Sequence, residues 1–382
     1  MKAKVCILTS VHPAFDTRIY YKQAKTLAKA GYNITLIAPH DKNEISDGIK
    51  IIGIAKPKNR IWRMFKTIKI FISALKQKAE IYHFHDPELL PTGVLLKFFT
   101  HGKVIYDVHE HYPNRILGYY LLPKSIRIIL KKIFEIQETL FVLFIDYVIY
   151  TTPVVGERYQ KMKIKAERIE NLPPLEVFKD IPNDQHKYKH NGEYLVYIGV
   201  MAVIRGIKEI IKAFSIVSKK HPRLKLYLIG SVTPESFKSK LNTLITELRM
   251  NKKIRIISHI PYNKIKEYLK NATIGFVTYL PYPNNKSCLP NKLFEYMACG
   301  LPVIASDFPL YREVIEEANF GKLVNPENTR EISKAIDDLI KNPEELKKMS
   351  NNARRAFKNK YNWSYEAKKL IKVYKFLMDK NR

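Results

Sequence analysis

Short runs of β-branched residues alternate with helical patterns along this chain, and the alternation limits its possible folds more than any other feature. Runs of this kind that are separated by helices predict right-handed βαβ crossovers and a parallel, doubly wound sheet. The predicted strands of the first half are Val5–Thr9, Ile34–Ala38, Ile49–Ile54, Ile81–His85, Val104–Val108, Tyr147–Thr151 and Arg168–Asn171. After a polar stretch the pattern begins again, with Tyr194–Gly199, Lys225–Gly230, Ile254–Ile257, Ile274–Thr278, Val303–Ser306 and Lys322–Val324.

The second start of the pattern predicts two α/β domains. A length of 382 residues gives each domain enough chain for its own core. Pro173-Pro174 and the polar stretch Lys179–Gly192 indicate a linker. We predict a Rossmann-like domain of residues 1–176, joined by the C-terminal helix 363–382, and a second of residues 177–362. Their parallel sheets are expected to face each other across a cleft, with ligands beyond the carboxyl ends of the strands.

The net charge of +30 predicts an anionic partner. The segment Lys56–Lys78 contains eight basic residues and no acidic one, and its apolar residues recur at three- and four-residue steps, as in an amphipathic helix. The segment Leu121–Phe134 repeats this pattern. Either the apolar stripes face the domain core and the lysines are solvated, or both segments lie on anionic lipid. Two such segments in one half of the chain favour the membrane surface.

Several features predict a cytoplasmic protein. The apolar run near the N-terminus is too short for a signal peptide, and no run reaches the roughly 18 apolar residues of a membrane-spanning helix. Cys6, Cys288 and Cys299 lack CxxC spacing and are interpreted as reduced thiols. We therefore expect peripheral attachment to the inner face of the cell membrane. No aromatic RNA-binding motif or helix-turn-helix is present, which argues against a nucleic-acid partner.

The segment Pro290–Pro309 combines a predicted helix (Asn291–Ala298), a turn at Gly300 and a short apolar strand. Glu295 lies in the middle of this helix among apolar residues, where a carboxylate needs a partner. The two hydroxyls of a ribose are one suitable partner, because a carboxylate can accept two hydrogen bonds. An ion pair with Lys292, one turn earlier, is the alternative.

Polar residues follow three further predicted strands. Arg205 stands near the start of a helix, where a guanidinium beside free N–H groups can bind a diphosphate. His109 follows another strand within a loop that also contains His111; a metal pair is the less favoured interpretation of these two. His83, His85 and Asp86 end the strand before it, and a structural role stays open for His83. Asp16 is predicted as a helix N-cap or an acceptor contact.

The sequence of Pro290–Pro309 closely resembles the donor-site signature of retaining glycosyltransferases of family four, which have the GT-B fold. In that signature a Glu grips the donor ribose, and Glu295 matches it. This chain departs from the family pattern at two positions. Ser287 replaces the first Glu of the signature, and Val200 replaces an Arg that usually binds the phosphates. Lys292 would compensate for that missing cation. The loop HPAFDTRI and the His85–Asp86 pair resemble a subset of the family that assembles exopolysaccharides.

The resemblance implies a metal-independent hexosyltransferase without a cofactor. It would move a sugar from a nucleotide diphosphate sugar, UDP-linked first and GDP-linked next, to a lipid-linked glycan precursor of cell-surface polysaccharide. A sugar-nucleotide 2-epimerase of the same fold and a non-catalytic, basic nucleic-acid- or membrane-binding protein are the alternatives. The predicted site residues are His109, Arg205 and Lys292 for catalysis; Glu295, Arg205, Gly230, Leu289, Pro290 and Asn291 for the donor nucleotide; and Asp16, His85, Asp86 and Glu110 for the acceptor.

Overall fold

A computed structural model describes residues 2–55, 60–119, 122–179, 181, 194–258, 260 and 264–379, with the backbone alone for residues 60–65. The chain divides into two compact units. The first comprises Met1–Asn171 together with Trp363–Arg382, and the second comprises Leu172–Asn362. The predicted domain boundary at residue 176 lies a few residues beyond this division. Most of the predicted linker Lys179–Gly192 falls outside the described residues.

The first unit contains an eight-stranded sheet in the order β3-β4-β2-β1-β5-β6-β7-β8. All neighbouring strands are parallel except β3 and β4. Strand β3 is not predictable from the sequence, because three residues with one apolar side chain carry too little periodicity. The strands are β1 (Lys4–Leu8), β2 (Asn33–Pro39), β3 (Glu44–Ser46), β4 (Ile49–Ile54), β5 (Ile81–Phe84), β6 (Lys103–Val108), β7 (Tyr147–Tyr150) and β8 (Ala166–Arg168).

Helices cover both faces of this sheet, and each face has its own apolar core. A π-helix (Thr17–Ala24) runs into α1 (Lys25–Lys29), and a 3-10 turn (Pro87–Leu89) precedes α3. The other helices are α2 (Arg60–Leu75), α3 (Leu90–Thr100), α4 (Tyr112–Leu117), α5 (Lys124–Val142) and α6 (Pro153–Lys161). The C-terminal helix α16 (Trp363–Asp379) packs its apolar side on one core, as predicted from its periodicity.

The second unit contains a six-stranded parallel sheet in the order β11-β10-β9-β12-β13-β14. This is the strand order of a dinucleotide-binding Rossmann sheet, with a topological switch between β9 and β12. The strands are β9 (Tyr194–Ile198), β10 (Lys225–Ile229), β11 (Ile254–Ile257), β12 (Ala272–Val277), β13 (Val303–Ser306) and β14 (Gly321–Val324). The helices are α7 (Leu175–Phe178), a 3-10 helix (Val203–Arg205), α8 (Ile207–Val217), α9 (Glu235–Glu247), α10 (Ile265–Leu269), α11 (Pro283–Lys286), α12 (Asn291–Ala298), α13 (Pro309–Ala318), α14 (Thr329–Ile340) and α15 (Pro343–Asn359).

Both basic amphipathic segments contribute most of their described residues to helices. Lys56–Lys78 contains α2, and its first four residues lie outside the described part of the chain. Leu121 also lies outside it, and the segment enters the longer helix α5 at Lys124. Only Glu138 and Val142 are buried in α5. None of the described helices combines the length and the apolar character that a membrane-spanning segment needs.

Candidate active site

The loops that follow β9 and β12 meet at the switch point of the second sheet, and their backbones are tied together. The carbonyl of Ile204 accepts hydrogen bonds from Leu280 N, at 3.1 Å, and from Asn285 Nδ2, at 2.9 Å. Gly206 has a φ of +70°, and a Cβ there would lie 2.0 Å from the carbonyl oxygen of Thr278. Only glycine allows this approach. The contacts fix the position of Arg205 between Ile204 and Gly206.

Arg205 and Lys292 lie against neighbouring phenol rings. The Cζ atom of Arg205 is 4.1 Å from the centroid of the Tyr279 ring. Lys292 Nζ is 3.5 Å from the centroid of Tyr197 and 5.1 Å from that of Tyr279. These are cation–π distances, and a desolvated contact of this kind is worth about 2 kcal/mol. The two cations are therefore held near each other by aromatic faces.

Lys292 is 7% exposed, and its Nζ atom has no hydrogen-bond partner within the described part of the chain. Burial, and then the charge of Arg205, hold the pKa of Lys292 well below its usual range. Burial opposes the charge on Arg205 as well, yet Tyr279, Tyr197 and Cys288 raise the pKa of its guanidinium. An anion bound here would favour the protonated form of Lys292 and offset its repulsion from Arg205.

Glu295 lies half-buried on α12, one turn after Lys292. Because Lys292 Nζ makes no hydrogen bond with any described residue, the Lys292–Glu295 ion pair is absent in its hydrogen-bonded form. The helix itself is anchored to the sheet, since Ile198 N donates to the hydroxyl of Tyr296 at 2.9 Å. Its end is as predicted: Gly300 has a φ of +65°.

The remaining residues predicted for the donor surround the same loops. Pro290 is the N-cap residue of α12, Leu289 is half-buried before it, and Asn291 is exposed in the first turn. Gly230 follows β10, where its N–H donates to the carbonyl of Ile257 at 2.9 Å. The structure thus brings most of these predicted donor residues to one edge of the second sheet. Ser287, at the position of the signature's first Glu, donates from Oγ to the carbonyl of Pro283 at 2.9 Å.

A second polar cluster lies in the first unit, and its centre is the fully buried Asp107. Arg18 binds it with two hydrogen bonds, Nε to Oδ2 at 3.1 Å and Nη2 to Oδ1 at 2.9 Å. Gln23 Nε2 donates to Oδ2 at 2.5 Å. Burial alone would raise the pKa of the Asp107 carboxyl, but Arg18 and the neighbouring histidines hold it well below its usual range. Asp107 is therefore a buried, compensated carboxylate.

His83 and His85 stack against each other beside this carboxylate, with ring centroids 4.7 Å apart. Their nearest nitrogens are 3.7 and 3.4 Å from Asp107 Oδ2. The three residues form the group of described side chains that could hold a metal ion. However, Asp107 Oδ2 already accepts from Arg18 and Gln23. We therefore interpret the group as a hydrogen-bonded network.

The C-terminal helix reaches the same network. Tyr374 lies on α16, and its hydroxyl is 2.8 Å from His83 Nδ1. Burial, opposed by the charge of Asp107, holds the pKa of His85 well below its ordinary value. His85 has no exposed surface, so it can affect a bound ligand only through the residues that it contacts.

His109 borders this network on its half-buried side. Its ring centroid is 5.2 Å from that of His12 and 6.2 Å from that of His85. Burial lowers the pKa of His109, and its Nδ1 atom is buried without a partner among the described residues. His12 Nε2 lies 3.6 Å from Asp86 Oδ1. The other carboxylate oxygen, Asp86 Oδ2, accepts a hydrogen bond from Ser10 N at 2.7 Å.

Three predicted residues have local partners. Asp16 is the N-cap of the π-helix, as expected, and its Oδ1 accepts from Arg18 N at 2.8 Å and Ile19 N at 3.0 Å. Glu110 pairs with Arg115 at 2.6 Å. His111 Nδ1 accepts from Asn114 N at 3.1 Å and caps α4, so the structure does not bring His109 and His111 together as a metal pair.

Two family profiles match this chain. The profile described as Glycosyltransferase Family 4 matches residues 17–174, and the profile described as glycosyl transferases group 1 matches residues 179–356. Together they span most of the sequence. The chain belongs to glycosyltransferase family 4. The predicted family is confirmed, and the enzyme is a glycosyltransferase.

Relatives of this glycosyltransferase are distant but extend over its length. An uncharacterized glycosyltransferase of Haemophilus influenzae is 22% identical over 88% of this chain and 90% of its own. The capsular polysaccharide biosynthesis glycosyltransferase CapM of Staphylococcus aureus is 22% identical over 89% of this chain and 88% of its own.

Solved structures are similar to the whole glycosyltransferase. The sucrose-phosphate synthase of Thermosynechococcus elongatus has a TM-score of 0.80 at 18% identity and covers 99% of this chain and 100% of its own. Anabaena HepE in complex with UDP-glucose has a TM-score of 0.72 at 14% identity, covering 98% of this chain and 100% of its own. At these identities the likeness shows the fold, and it confirms the predicted GT-B class.

Several residues of the first unit's cluster cannot be recognised from the sequence alone. Nothing in the sequence pairs Arg18 with Asp107, although Arg18 lies in the predicted acceptor loop HPAFDTRI and Asp107 lies two residues before His109. His12 belongs to the same loop. Tyr374 gave no signal, since a tyrosine on an amphipathic C-terminal helix is indistinguishable from an ordinary core residue.

Proposed function

We propose that this glycosyltransferase is a retaining enzyme that transfers a hexose-type sugar from a nucleotide diphosphate sugar to a lipid-linked glycan precursor of cell-surface polysaccharide. The observation that carries the proposal is the buried amino group of Lys292, which has no hydrogen-bond partner among the described residues and lies beside Arg205. Its protonated form is disfavoured in the empty protein, and a diphosphate would stabilise it. The capsular assignment of CapM supports the choice of pathway.

The second unit would bind the donor. Arg205 and Lys292 would stabilise the charge that develops on the departing diphosphate, a preorganised electrostatic contribution that usually dominates catalysis. Glu295 would accept hydrogen bonds from the ribose hydroxyls, while Leu289, Pro290, Asn291 and Gly230 would border the nucleotide. Two side-chain cations at the diphosphate support a metal-independent reaction. UDP is the favoured nucleotide, since HepE, a structural neighbour, was solved with UDP-glucose; GDP comes next.

Retention of configuration is proposed from the resemblance to retaining glycosyltransferases, and the lack of a carboxylate at Ser287 then favours front-face transfer over a covalent intermediate. With a hydroxyl there that is already bonded to Pro283 O, the chain offers no nucleophile at this position. The departing phosphate would then help to deprotonate the acceptor on the same face of the sugar. His109 would contact the donor sugar, and its lowered pKa keeps it neutral at physiological pH.

The first unit would bind the acceptor near Asp16, Asp86 and Glu110. His85 would act as a positioning residue rather than as a direct contact, because it is fully buried. Attachment to anionic lipid is supported by α5, whose basic residues stand among exposed isoleucines and leucines. We propose a cytoplasmic enzyme that is peripheral to the inner face of the membrane.

Thermal unfolding with a panel of UDP-, GDP- and ADP-sugars tests the donor assignment, because a ligand that binds the native state raises its stability by RT ln(1 + [L]/Kd). UDP-sugars should give the largest shift. The anomeric configuration of the product, measured by NMR with the best donor and a membrane-extracted lipid acceptor, tests retention. No shift with any nucleotide sugar, or an inverted product, would refute the corresponding part.

A further inference from the structure

A groove of about 470 Å³ lies in the first unit among α2, α3 and α5. Its volume is within the range of ordinary ligand pockets. Its lining is mainly apolar and includes Leu90, Phe134 and Phe141, together with Gln137 and the carboxylates of Glu88 and Glu138. Since α3 packs against both α2 and α5, the walls of this groove are set by the packing of three helices.

The two carboxylates of the lining have partners within the protein. Glu138 is buried, pairs with Arg158 at 2.8 Å and accepts from Tyr159 at 2.9 Å. Glu88 Oε1 accepts from Ser10 Oγ at 2.6 Å. Neither carboxylate therefore requires a polar ligand, and the lining is suited to an apolar one.

The surroundings of the groove indicate which apolar ligand fits. The side chains adjacent to its lining on α5 and α2 are exposed and apolar, among them Ile133, Ile136, Leu140 and Ile68. Exposed lysines such as Lys132 stand between them. An apolar surface with a cationic border complements a lipid chain that carries phosphate groups.

The groove also leads towards the polar residues that we assign to the acceptor. Glu88 is one of its lining residues, and Ser10 binds it through Oγ while its own N–H donates to Asp86 Oδ2 at 2.7 Å. One end of the groove is thus a single residue away from Asp86. A chain bound in the groove would keep its phosphates at the cationic border and bring the sugar hydroxyls of its head to this polar end, where carboxylates can accept their hydrogen bonds.

We propose that this groove binds the hydrocarbon chain of the lipid-linked acceptor. The inference rests on the proposed function for the identity of its ligand, and it assigns the chain-binding part of the acceptor site to α2, α3 and α5. Both ends of the acceptor would then be recognised by the first unit, the head near Asp86 and the chain between the helices.

Calorimetric titration with farnesyl diphosphate, geranyl diphosphate and inorganic diphosphate tests the proposal on the full chain. The head group is common to all three, so differences report the chain. Farnesyl diphosphate should bind at least about tenfold more tightly than geranyl diphosphate, because each buried methylene is worth about a fourfold gain in affinity. Equal affinity of the three would overturn the proposal.

Two tryptophan variants on α5 locate the binding. Gln137 lines the groove and is exposed, so Gln137→Trp should fill the groove without disturbing the core, and the preference for the longer chain should disappear. Ile136 is its neighbour outside the lining, and Ile136→Trp should keep the preference. A preference that survives in Gln137→Trp would show that the chain binds elsewhere.

Further measurements distinguish other occupants and the proposed function itself. If dioctanoyl phosphatidylglycerol displaces farnesyl diphosphate at equal concentration, the groove holds bilayer lipid and the acceptor assignment is overturned. A dimer in light scattering that dissociates in Gln137→Trp would likewise assign the groove to a second copy of the chain. UDP is titrated in parallel. Absence of UDP binding with an intact chain-length preference would refute the donor assignment and leave the groove as a lipid-chain site.

Discussion

The Nζ atom of Lys292 lies 3.5 Å from the centroid of the Tyr197 ring and has no hydrogen-bond partner among the described residues. The face of an aromatic ring is a weak substitute for water around an ammonium group. The protein therefore buries an amino group that its own described polar groups do not satisfy, and burial lowers its pKa. An anion that binds during function would explain such a group. Removal of the amino group should then lower activity without lowering the stability of the empty protein.

Replacing Lys292 with methionine should lower turnover by about a hundredfold, the scale of losing one donor that stabilises developing charge. The empty protein should unfold at the same or a higher temperature, because a similar volume is kept and a buried amino group without a hydrogen-bond partner among the described residues is removed. Enzyme kinetics and thermal unfolding of the same preparation measure both effects.

Lys368→Met is the matched control for this experiment. Lys368 also lies over an aromatic ring, 5.6 Å from the centroid of Tyr365, but on α16 in the first unit. Its removal should leave turnover unchanged. If Lys292→Met destabilises the empty protein and binds UDP like the parent, Lys292 is a structural residue.

Replacing Glu295 with glutamine should weaken binding of the nucleotide sugar by about 1.5–3 kcal/mol, the usual contribution of a hydrogen bond to a charged group. The fold should be unaffected, because Glu295 is only half-buried and the amide has the same shape. Calorimetry with UDP and with uracil alone separates the ribose contact from the base. Glu313→Gln, an exposed substitution on α13, is the control, and equal affinities of Glu295→Gln and parent for UDP would remove Glu295 from the donor site.

The fold of both units could be predicted because parallel sheets that are buried on both faces leave strong apolar runs in the sequence. Twelve predicted strands overlap strands of the structure; the thirteenth, Arg168–Asn171, meets β8 only at Arg168. The candidate donor residues Arg205, Lys292 and Glu295 were recognisable because they lie in segments of unusual composition, and their role stays a prediction. What the sequence does not show is the pairing of distant residues. Arg18 and Asp107 are 89 positions apart, and only the folded sheet brings them together.

Acid should destabilise the first unit. Burial lowers the pKa values of His85 and His109 below the unfolded value of about 6.5. Their contribution to the free energy of unfolding is present above that pH and is lost as pH falls, by at most about 1.4 kcal/mol per pH unit for each. His12 behaves in the opposite way. Burial lowers its pKa, but Asp16 and Asp86 outweigh burial, so that its pKa is raised. The stability that His12 contributes is therefore present below about pH 6.5 and is lost as pH rises.

Urea unfolding between about pH 6.5 and about pH 5.5 measures the balance, and the parent should lose stability over this interval. His85→Leu removes one buried imidazole and should lose less stability than the parent over the same interval. His101→Asn, at an exposed position after α3, should lose as much as the parent. If the parent and His85→Leu lose the same free energy of unfolding over this interval, the lowered pKa of His85 is not a source of the acid sensitivity.

Substitutions on α5 test membrane attachment. Lys131 and Lys132 each contribute about 1 kcal/mol near an anionic bilayer, and the attraction decays over a Debye length of about 8 Å at physiological salt. Lys131→Glu with Lys132→Glu should therefore reduce co-sedimentation with phosphatidylglycerol vesicles, and raised salt should release the parent.

Ile133→Asp with Ile136→Asp should abolish binding at any salt, since both side chains are exposed and an apolar contact is lost. Ile45→Asp, at a 77% exposed position on β3, should sediment like the parent, and every variant should still bind UDP. If neutral vesicles retain the parent equally well, or if the Ile133 and Ile136 variant sediments like the parent, α5 is a solvated helix and the enzyme reaches its acceptor by another surface.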